Sequence, residues 1–299
     1  VSEHNPPIRL GIDLGGTKTE IVALDVAGAE LWRKRVPTPR GSYEGTVSTV
    51  RQLVHEADQA LGVRGTVGVG TPGAISNATG RMKNCNSTWL NGRPLKQDLE
   101  TSIGRAVRIA NDANCFALAE AIEGAARGAR TVFGVILGTG VGGGIVIDAR
   151  ALEGTNSIAG EWGHNPMPWP VADEWPGPAC YCGRTGCIET FLSGPGFAKD
   201  YLREAGRTLE APQIVALADS GDAPARICLD RYCDRLARAL ASVINVVDPE
   251  VIVIGGGMSN IACLYRNVPQ RWASYIFSDA VVTRLVPHAR RDSSGARGA

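Results

Sequence analysis

The chain carries one short pattern twice, and this repeat constrains its fold more than any other feature. Gly11-Ile12-Asp13-Leu14-Gly15-Gly16-Thr17 runs on to Leu24-Asp25, and Gly134-Val135-Ile136-Leu137-Gly138-Thr139-Gly140 runs on to Ile147-Asp148. Each copy reads as an apolar strand, a tight turn of glycine and threonine, and a second apolar strand. Unrelated hairpins have no reason to share register and threonines, so the repeat predicts two related lobes. Convergent backbone N–H groups bind anions, and glycine lets the ligand come close, so two such turns suit the clamping of one polyphosphate in a nucleotide cleft.

At 299 residues the chain sits where one large domain gives way to two. Its net charge of +1, from 31 Lys and Arg against 30 Asp and Glu, gives no bias toward nucleic acid or an anionic membrane. The first residues, with His4, Pro6 and Pro7, have neither the basic start nor the apolar core of a secretion signal, and no stretch reaches transmembrane length. A cytoplasmic protein is expected. Eight cysteines in such a chain argue for thiols and a metal, not a disulfide framework.

Strand-to-helix junctions marked by glycine place the chain in the α/β class. Residues 10–14 read as a buried strand, 19–26 and 30–36 as antiparallel neighbours, and Tyr43 to Leu61 as an amphipathic helix. Strands follow at 66–70 and 107–110, with a short helix over 95–103 between them. Asp112 falls where a strand ends and a helix, Ala113 to Ala126, begins. The pattern restarts at 132–148. An irregular, Gly-, Pro- and Trp-rich stretch from Glu153 to Gly194 is too long for a simple linker, so something must hold it. Helices are expected near 194–205, 211–218 and 223–246, then a buried strand over 251–254, Gly255-Gly256-Gly257, and a helix from Ser259.

Four groups of residues suggest chemistry. Asp13 lies beside the Gly15, Gly16 and Thr17 turn, where a carboxylate can hold Mg²⁺ directly or through water; a plain hairpin with a surface carboxylate is the bland alternative. The chain has no Gly-x-x-x-x-Gly-Lys-Ser/Thr signature, and no Gly-x-Gly-x-x-Gly between a strand and a helix. Asp112 is either a general base for an attacking hydroxyl or the N-cap of its helix, and spacing leaves both open. His164, Cys180, Cys182 and Cys187 form His-x₁₅-Cys-x-Cys-x₄-Cys, a closed set for a structural Zn²⁺ that would order the irregular stretch, unless they are ordinary free thiols. Glu161, His164 and Glu189 bracket this cluster, where carboxylates and a second imidazole nitrogen could satisfy polyol hydroxyls. Each glutamate taken singly is more often a solvated surface residue.

These pieces together resemble the ROK family of bacterial sugar kinases and repressors over essentially the whole chain. The matching motifs are Gly11 to Glu20, Asn111-Asp112-Ala113-Asn114-Cys115, Leu137 to Gly142, Glu161-Trp162-Gly163-His164, and Cys180-Tyr181-Cys182-Gly183-Arg184-Thr185-Gly186-Cys187-Ile188-Glu189. The resemblance implies an actin-like, ribonuclease-H-like fold of two lobes around a cleft, here a small domain over 1–112 and a larger one with the zinc loop over 113–299. It further implies a homodimer that uses ATP, Mg²⁺ and a structural Zn²⁺ to phosphorylate a hexose at its C6 hydroxyl. Asp112 would be the catalytic base. Asn86, Asn111, Asp112, Glu161, His164 and Glu189 would contact sugar. Asp13, Gly15, Gly16, Thr17, Lys18, Gly138, Thr139, Gly140 and Gly255 to Gly257 would hold the nucleotide.

Ser87-Thr88-Trp89-Leu90-Asn91-Gly92 and Glu161 to Pro166 look like the fructokinase or mannokinase branch, so fructose is the expected hexose. N-acetylglucosamine, glucose, and a non-catalytic sugar-responsive regulator are the alternatives. Relatives continue past Gly295 to Ala299 into a terminal helix that packs on the first lobe, and that helix is expected to be missing here.

Overall fold

The computed structural model describes residues 8–289 and 294–299, and the chain divides into two compact units. The first comprises residues up to Ala119, together with 151–159 and the C-terminal residues; the second comprises 120–150 and 160–289.

The repeated sequence becomes a repeated topology. In the first unit, β1 (Arg9–Leu14), β2 (Lys18–Leu24) and β3 (Glu30–Pro37) form an antiparallel meander. Next come α1 (Tyr43–Leu61), β4 (Thr66–Thr71), a small hairpin of β5 (Ala74–Ile75) and β6 (Met82–Lys83), α2 (Leu95–Ile103), β7 (Val107–Asn111) and α3 (Asp112–Glu123). β4 and β7 add in parallel beyond β1, giving the order β3-β2-β1-β4-β7.

In the second unit, β8 (Thr131–Leu137), β9 (Val141–Ile147) and β10 (Arg150–Ala151) head another sheet, followed by α4 (Ile188–Leu192), α5 (Gly194–Ala205), α6 (Ala211–Ser220) and α7 (Ala223–Val247). β11 (Val251–Gly255), α8 (Leu264–Trp272) and β12 (Arg284–Pro287) complete it, with β11 and β12 parallel beyond β8 in the order β10-β9-β8-β11-β12. Each sheet is thus an antiparallel hairpin extended by parallel strands, the same plan twice.

Local chemistry explains the element ends. The Ser42 side chain accepts from the Gly45 N–H at 3.0 Å and caps α1, Gly62 closes it in the left-handed region, and Val50, Leu53, Val54 and Ala57 point inward at helical spacing. The first unit's core gathers these around Leu10, Ile12, Ile21, Val67, Val69 and Leu99. The second packs α7, capped by Asp222 on the Ala225 N–H, against β8 and β11.

Four expectations need correction. The division is not a single cut after residue 112. Residues 151–159 belong to the first unit because the Asn77 and Lys83 side chains donate to the Thr155 and Asn156 carbonyls, each at 2.8 Å. The terminal segment also returns there: α9 (Ser294–Gly298) is a helix, and it packs on β1 where the Ala296 carbonyl occupies the space a side chain at Gly11 would need. The helix beginning at Asp112 stops at Glu123 instead of Ala126, since the Glu120 carboxylate takes the Ala125 N–H at 2.8 Å. No α-helix starts at Ser259. A 3₁₀ turn over Gly257–Asn260 stands there, with the Ser259 N–H and hydroxyl both donating to the Gly256 carbonyl, and α8 begins only at Leu264.

Candidate functional site

In the first unit the β1–β2 turn is built to present N–H groups. The Gly15 N–H closes the turn on the Lys18 carbonyl, while the Gly15, Gly16 and Thr17 carbonyls accept from the Thr38 hydroxyl, Arg40 and the Thr38 N–H. That leaves the Gly16 and Thr17 N–H groups with no partner among the described residues, the arrangement of an anion-binding concavity. Thr38, which braces the turn at 2.7 Å, carries no motif and was not anticipated. Lys18 is exposed, and Asn86 is exposed on the segment whose neighbour Ser87 abuts Gly16.

Asp13 stands at the base of this turn, half-buried and opposite Glu20 in the strand register. Burial, then the Glu20 charge, push its carboxyl from the ordinary 3.8 up to about 6, against a smaller pull from Arg35. Its oxygens have no hydrogen bond within the described residues. A carboxylate is a hard oxygen donor of the kind that holds a divalent cation such as Mg²⁺, and Gly295 of α9 lies against this one.

Asp112 opens α3, and the structure separates its two candidate roles. The cap is Asn111: its Oδ1 accepts from the Ala113 and Asn114 N–H groups at 2.9 and 3.3 Å, and its Nδ2 donates to the Gly73 carbonyl at 3.2 Å. Asp112 Oδ1 accepts from its own neighbour's N–H, that of Ala113, at 2.8 Å. The two acids share surroundings, since both charges bear on the buried Cys115 thiol and raise its pKa after burial itself. Asp112 likewise contributes, behind burial, to lifting the Cys85 thiol to about 12. The first unit therefore gathers Asp13, Asp112 and Asn111 with the Gly15 to Thr17 turn.

The second unit repeats the turn. Gly138 N–H bonds the Gly140 carbonyl, the Gly194 N–H caps the Gly138 carbonyl at 2.8 Å, and the Glu189 carboxylate takes the Val141 N–H at 2.9 Å. Again two successive N–H groups, those of Thr139 and Gly140, have no partner among the described residues. Glu189, expected to meet sugar hydroxyls, thus spends one oxygen on bracing this turn. Gly255 ends β11, and Gly256 and Gly257 lead into the 3₁₀ turn. At Gly256, with φ of 82°, a side chain would be strained and would also run into the Leu137 backbone.

The four candidate metal ligands converge. One ligand atom each from His164, Cys180, Cys182 and Cys187 lie within 4.8 Å of one another, and three thiolates with an imidazole fit a tetrahedral zinc ion. Backbone bonds shape the knuckle, the Cys180 N–H on the Arg184 carbonyl and the Gly186 N–H on that of Pro178. His164 turns Nδ1 toward Cys180, at 3.6 Å, and Nε2 toward the Tyr181 hydroxyl, at 3.0 Å. The second imidazole nitrogen expected to meet sugar therefore already faces a phenol that sequence reasoning passed over. Glu161 and His164 flank Trp162, which is fixed by donating Nε1–H to the Gly142 carbonyl at 3.0 Å and by edge-on contact with Phe133.

A second clamp holds the irregular stretch. Glu174 is buried, with Arg235 Nε at 2.6 Å and Arg238 NH1 at 2.9 Å, and Arg238 also donates to the Pro168 and Trp169 carbonyls. Burial opposes the Glu174 charge, but its bonds to Arg238 and Arg235 prevail and lower its pKa. No residue pattern pointed to this clamp, because its partners lie some sixty residues apart.

Two sheets of one topology, each headed by an N–H-presenting turn, define an actin-like ATPase fold. The family model "ROK family" matches residues 9–299, and the chain belongs to the ROK family. It is 41% identical over 293 residues to the N-acetyl-D-glucosamine kinases of Shigella flexneri and of Escherichia coli strain K12 / DH10B, with 97% of both chains covered in each case. Among solved structures, it is similar to the ROK hexokinase of Thermus thermophilus, with 30% identity, TM-score 0.86 and 97% and 96% coverage. It is also similar to a ROK family glucokinase from Streptomyces griseus in complex with glucose and AMPPNP, with 25% identity, TM-score 0.78 and 97% of each chain covered. None of the described helices is long and apolar enough to cross a membrane.

Proposed function

We propose that this chain is an ATP-dependent sugar kinase that phosphorylates the C6 hydroxyl of N-acetyl-D-glucosamine. The observation that carries the reading is the 41% identity to N-acetyl-D-glucosamine kinases across 97% of both chains. It favours N-acetylglucosamine over fructose, which the Ser87 to Gly92 and Glu161 to Pro166 stretches had suggested. Glucose is the second reading, favoured by the hexokinase and glucokinase neighbours.

Asp112 would accept the C6 proton as that oxygen attacks the γ-phosphorus, a role open to it because Asn111 caps the helix. Asn86, Asn111, Glu161, His164 and Glu189 would orient sugar hydroxyls. The Gly15 to Thr17 and Gly138 to Gly140 turns would donate N–H groups to phosphate oxygens, with Lys18 and Gly255 to Gly257 as further nucleotide contacts. Asp13 would hold Mg²⁺, which when bound offsets phosphate charge, and His164, Cys180, Cys182 and Cys187 would hold Zn²⁺, which orders the loop. A cytoplasmic homodimer is proposed from the family resemblance.

The test is ADP release measured with N-acetylglucosamine, glucose, fructose and mannose in parallel. The reading expects the highest kcat/KM on N-acetylglucosamine. A preference for fructose, or no sugar-stimulated ADP release, would refute it.

A further inference from the structure

We propose that a cavity within the first unit receives the 2-acetamido group of the sugar, an inference that rests on the N-acetylglucosamine reading above. The cavity has a volume of about 410 Å³, enough for a hexose carrying a substituent. One wall is β7 from Ile109 to Asn111, another the hairpin residues Ala74 to Asn77, and a third includes Ser157.

Its direction fits the chemistry. In a pyranose ring C2 lies across from C5, the atom that bears C6, so a sugar with its C6 hydroxyl at Asp112 points its C2 substituent away from that carboxylate. The cavity wall runs from Asn111, the residue before Asp112, back along β7 to Ile109. Two strand residues span about 7 Å at roughly 3.3 Å each, comparable to the width of a sugar ring.

Its lining fits an acetamide. Asn114 borders the cavity and is 7% exposed, and its Oδ1 is buried without a hydrogen-bond partner. A lone buried acceptor is matched by an amide N–H. Two of the other polar wall groups are already engaged: Asn77 donates to the Thr155 carbonyl at 2.8 Å and accepts from the Ser157 hydroxyl at 3.2 Å. Ala74, Ile75 and Ile109 supply apolar surface for the acetyl methyl. The C2 hydroxyl of glucose is shorter and carries no methyl group, so it leaves this apolar surface unfilled.

The test uses Ala74→Leu, which narrows the cavity from its rim, and Asn114→Leu, which removes the acceptor at similar volume. KM is measured for N-acetylglucosamine and for glucose, and N-acetylglucosamine binding is titrated calorimetrically without ATP. KM for N-acetylglucosamine should rise about tenfold or more in each folded variant, with a parallel loss in the titration, while KM for glucose stays within about threefold. Should Asn114→Leu not fold, Ala74→Leu decides alone. Equal losses on both sugars, or none on N-acetylglucosamine, would overturn the acetamido site and leave the kinase reading standing. An unmodified protein that turns over glucose but not N-acetylglucosamine would overturn it as well. Turnover of neither sugar would defeat both readings.

Discussion

The buried carboxyl of Asp13 makes the most quantitative prediction. Asp13→Asn keeps the shape of the side chain and removes its charge. In the folded protein the carboxyl titrates at about 6 instead of the ordinary 3.8, chiefly because burial disfavours the ion and Glu20 repels it. At 1.36 kcal/mol for each decade, that difference is about 3 kcal/mol between native and unfolded states. Well below pH 3.8 both states hold the proton and the group contributes nothing to the pH dependence. As pH rises from 3.8 to about 6 the unfolded chain ionises while the native carboxyl keeps its proton, so the native state is progressively destabilised over that window and by no more above it.

In Mg²⁺-free buffer the variant should therefore match the unmodified protein near pH 4 and exceed its stability by up to about 3 kcal/mol at pH 7.5. Urea unfolding followed by far-UV circular dichroism at several pH values measures this, and the variant should meanwhile lose its Mg²⁺-dependent turnover. A stability difference that does not change between pH 4 and 7.5, or an asparagine variant less stable at pH 7.5, would refute the reasoning.

Asp112→Asn should leave sugar and ATP binding largely intact while kcat falls by about 10²-fold or more, and near-normal turnover would remove Asp112 from the base role. Cys182→Ser should lower the zinc content of the purified protein and raise KM for sugar more than for ATP; absence of zinc from the unmodified protein, measured by metal analysis, would sink that expectation. Glu174→Ala removes the carboxylate shared by the buried Arg235 and Arg238 and leaves them only Asp200 and Asp234 respectively as acidic partners. It should cost about 3 kcal/mol or more in urea unfolding, and a loss under about 1 kcal/mol would show that the clamp is not structural.

Much of this was legible in the chain itself because it is local. Strand, turn and strand at residues 9–24 and 131–147 follow from alternating apolar residues around glycine, and α1 ends at Leu61 because Gly62 takes the left-handed conformation. The candidate set of His164, Cys180, Cys182 and Cys187 stood out because three of them lie within eight residues of one another in the sequence. Asn111, however, displaced Asp112 as the cap, and no spacing rule could choose between two adjacent residues that cap equally well.

What only the tertiary structure decided are contacts between residues distant in the chain. Thr38 under the first glycine turn, Glu189 under the second, Glu174 between two arginines of α7, and residues 151–159 returned to the first unit all depend on where separate elements come to rest. A sequence fixes periodicity and turn chemistry through neighbours a few residues apart. Which buried acceptor meets which donor is settled only when the sheets have formed and every polar group shut away from water must find a partner.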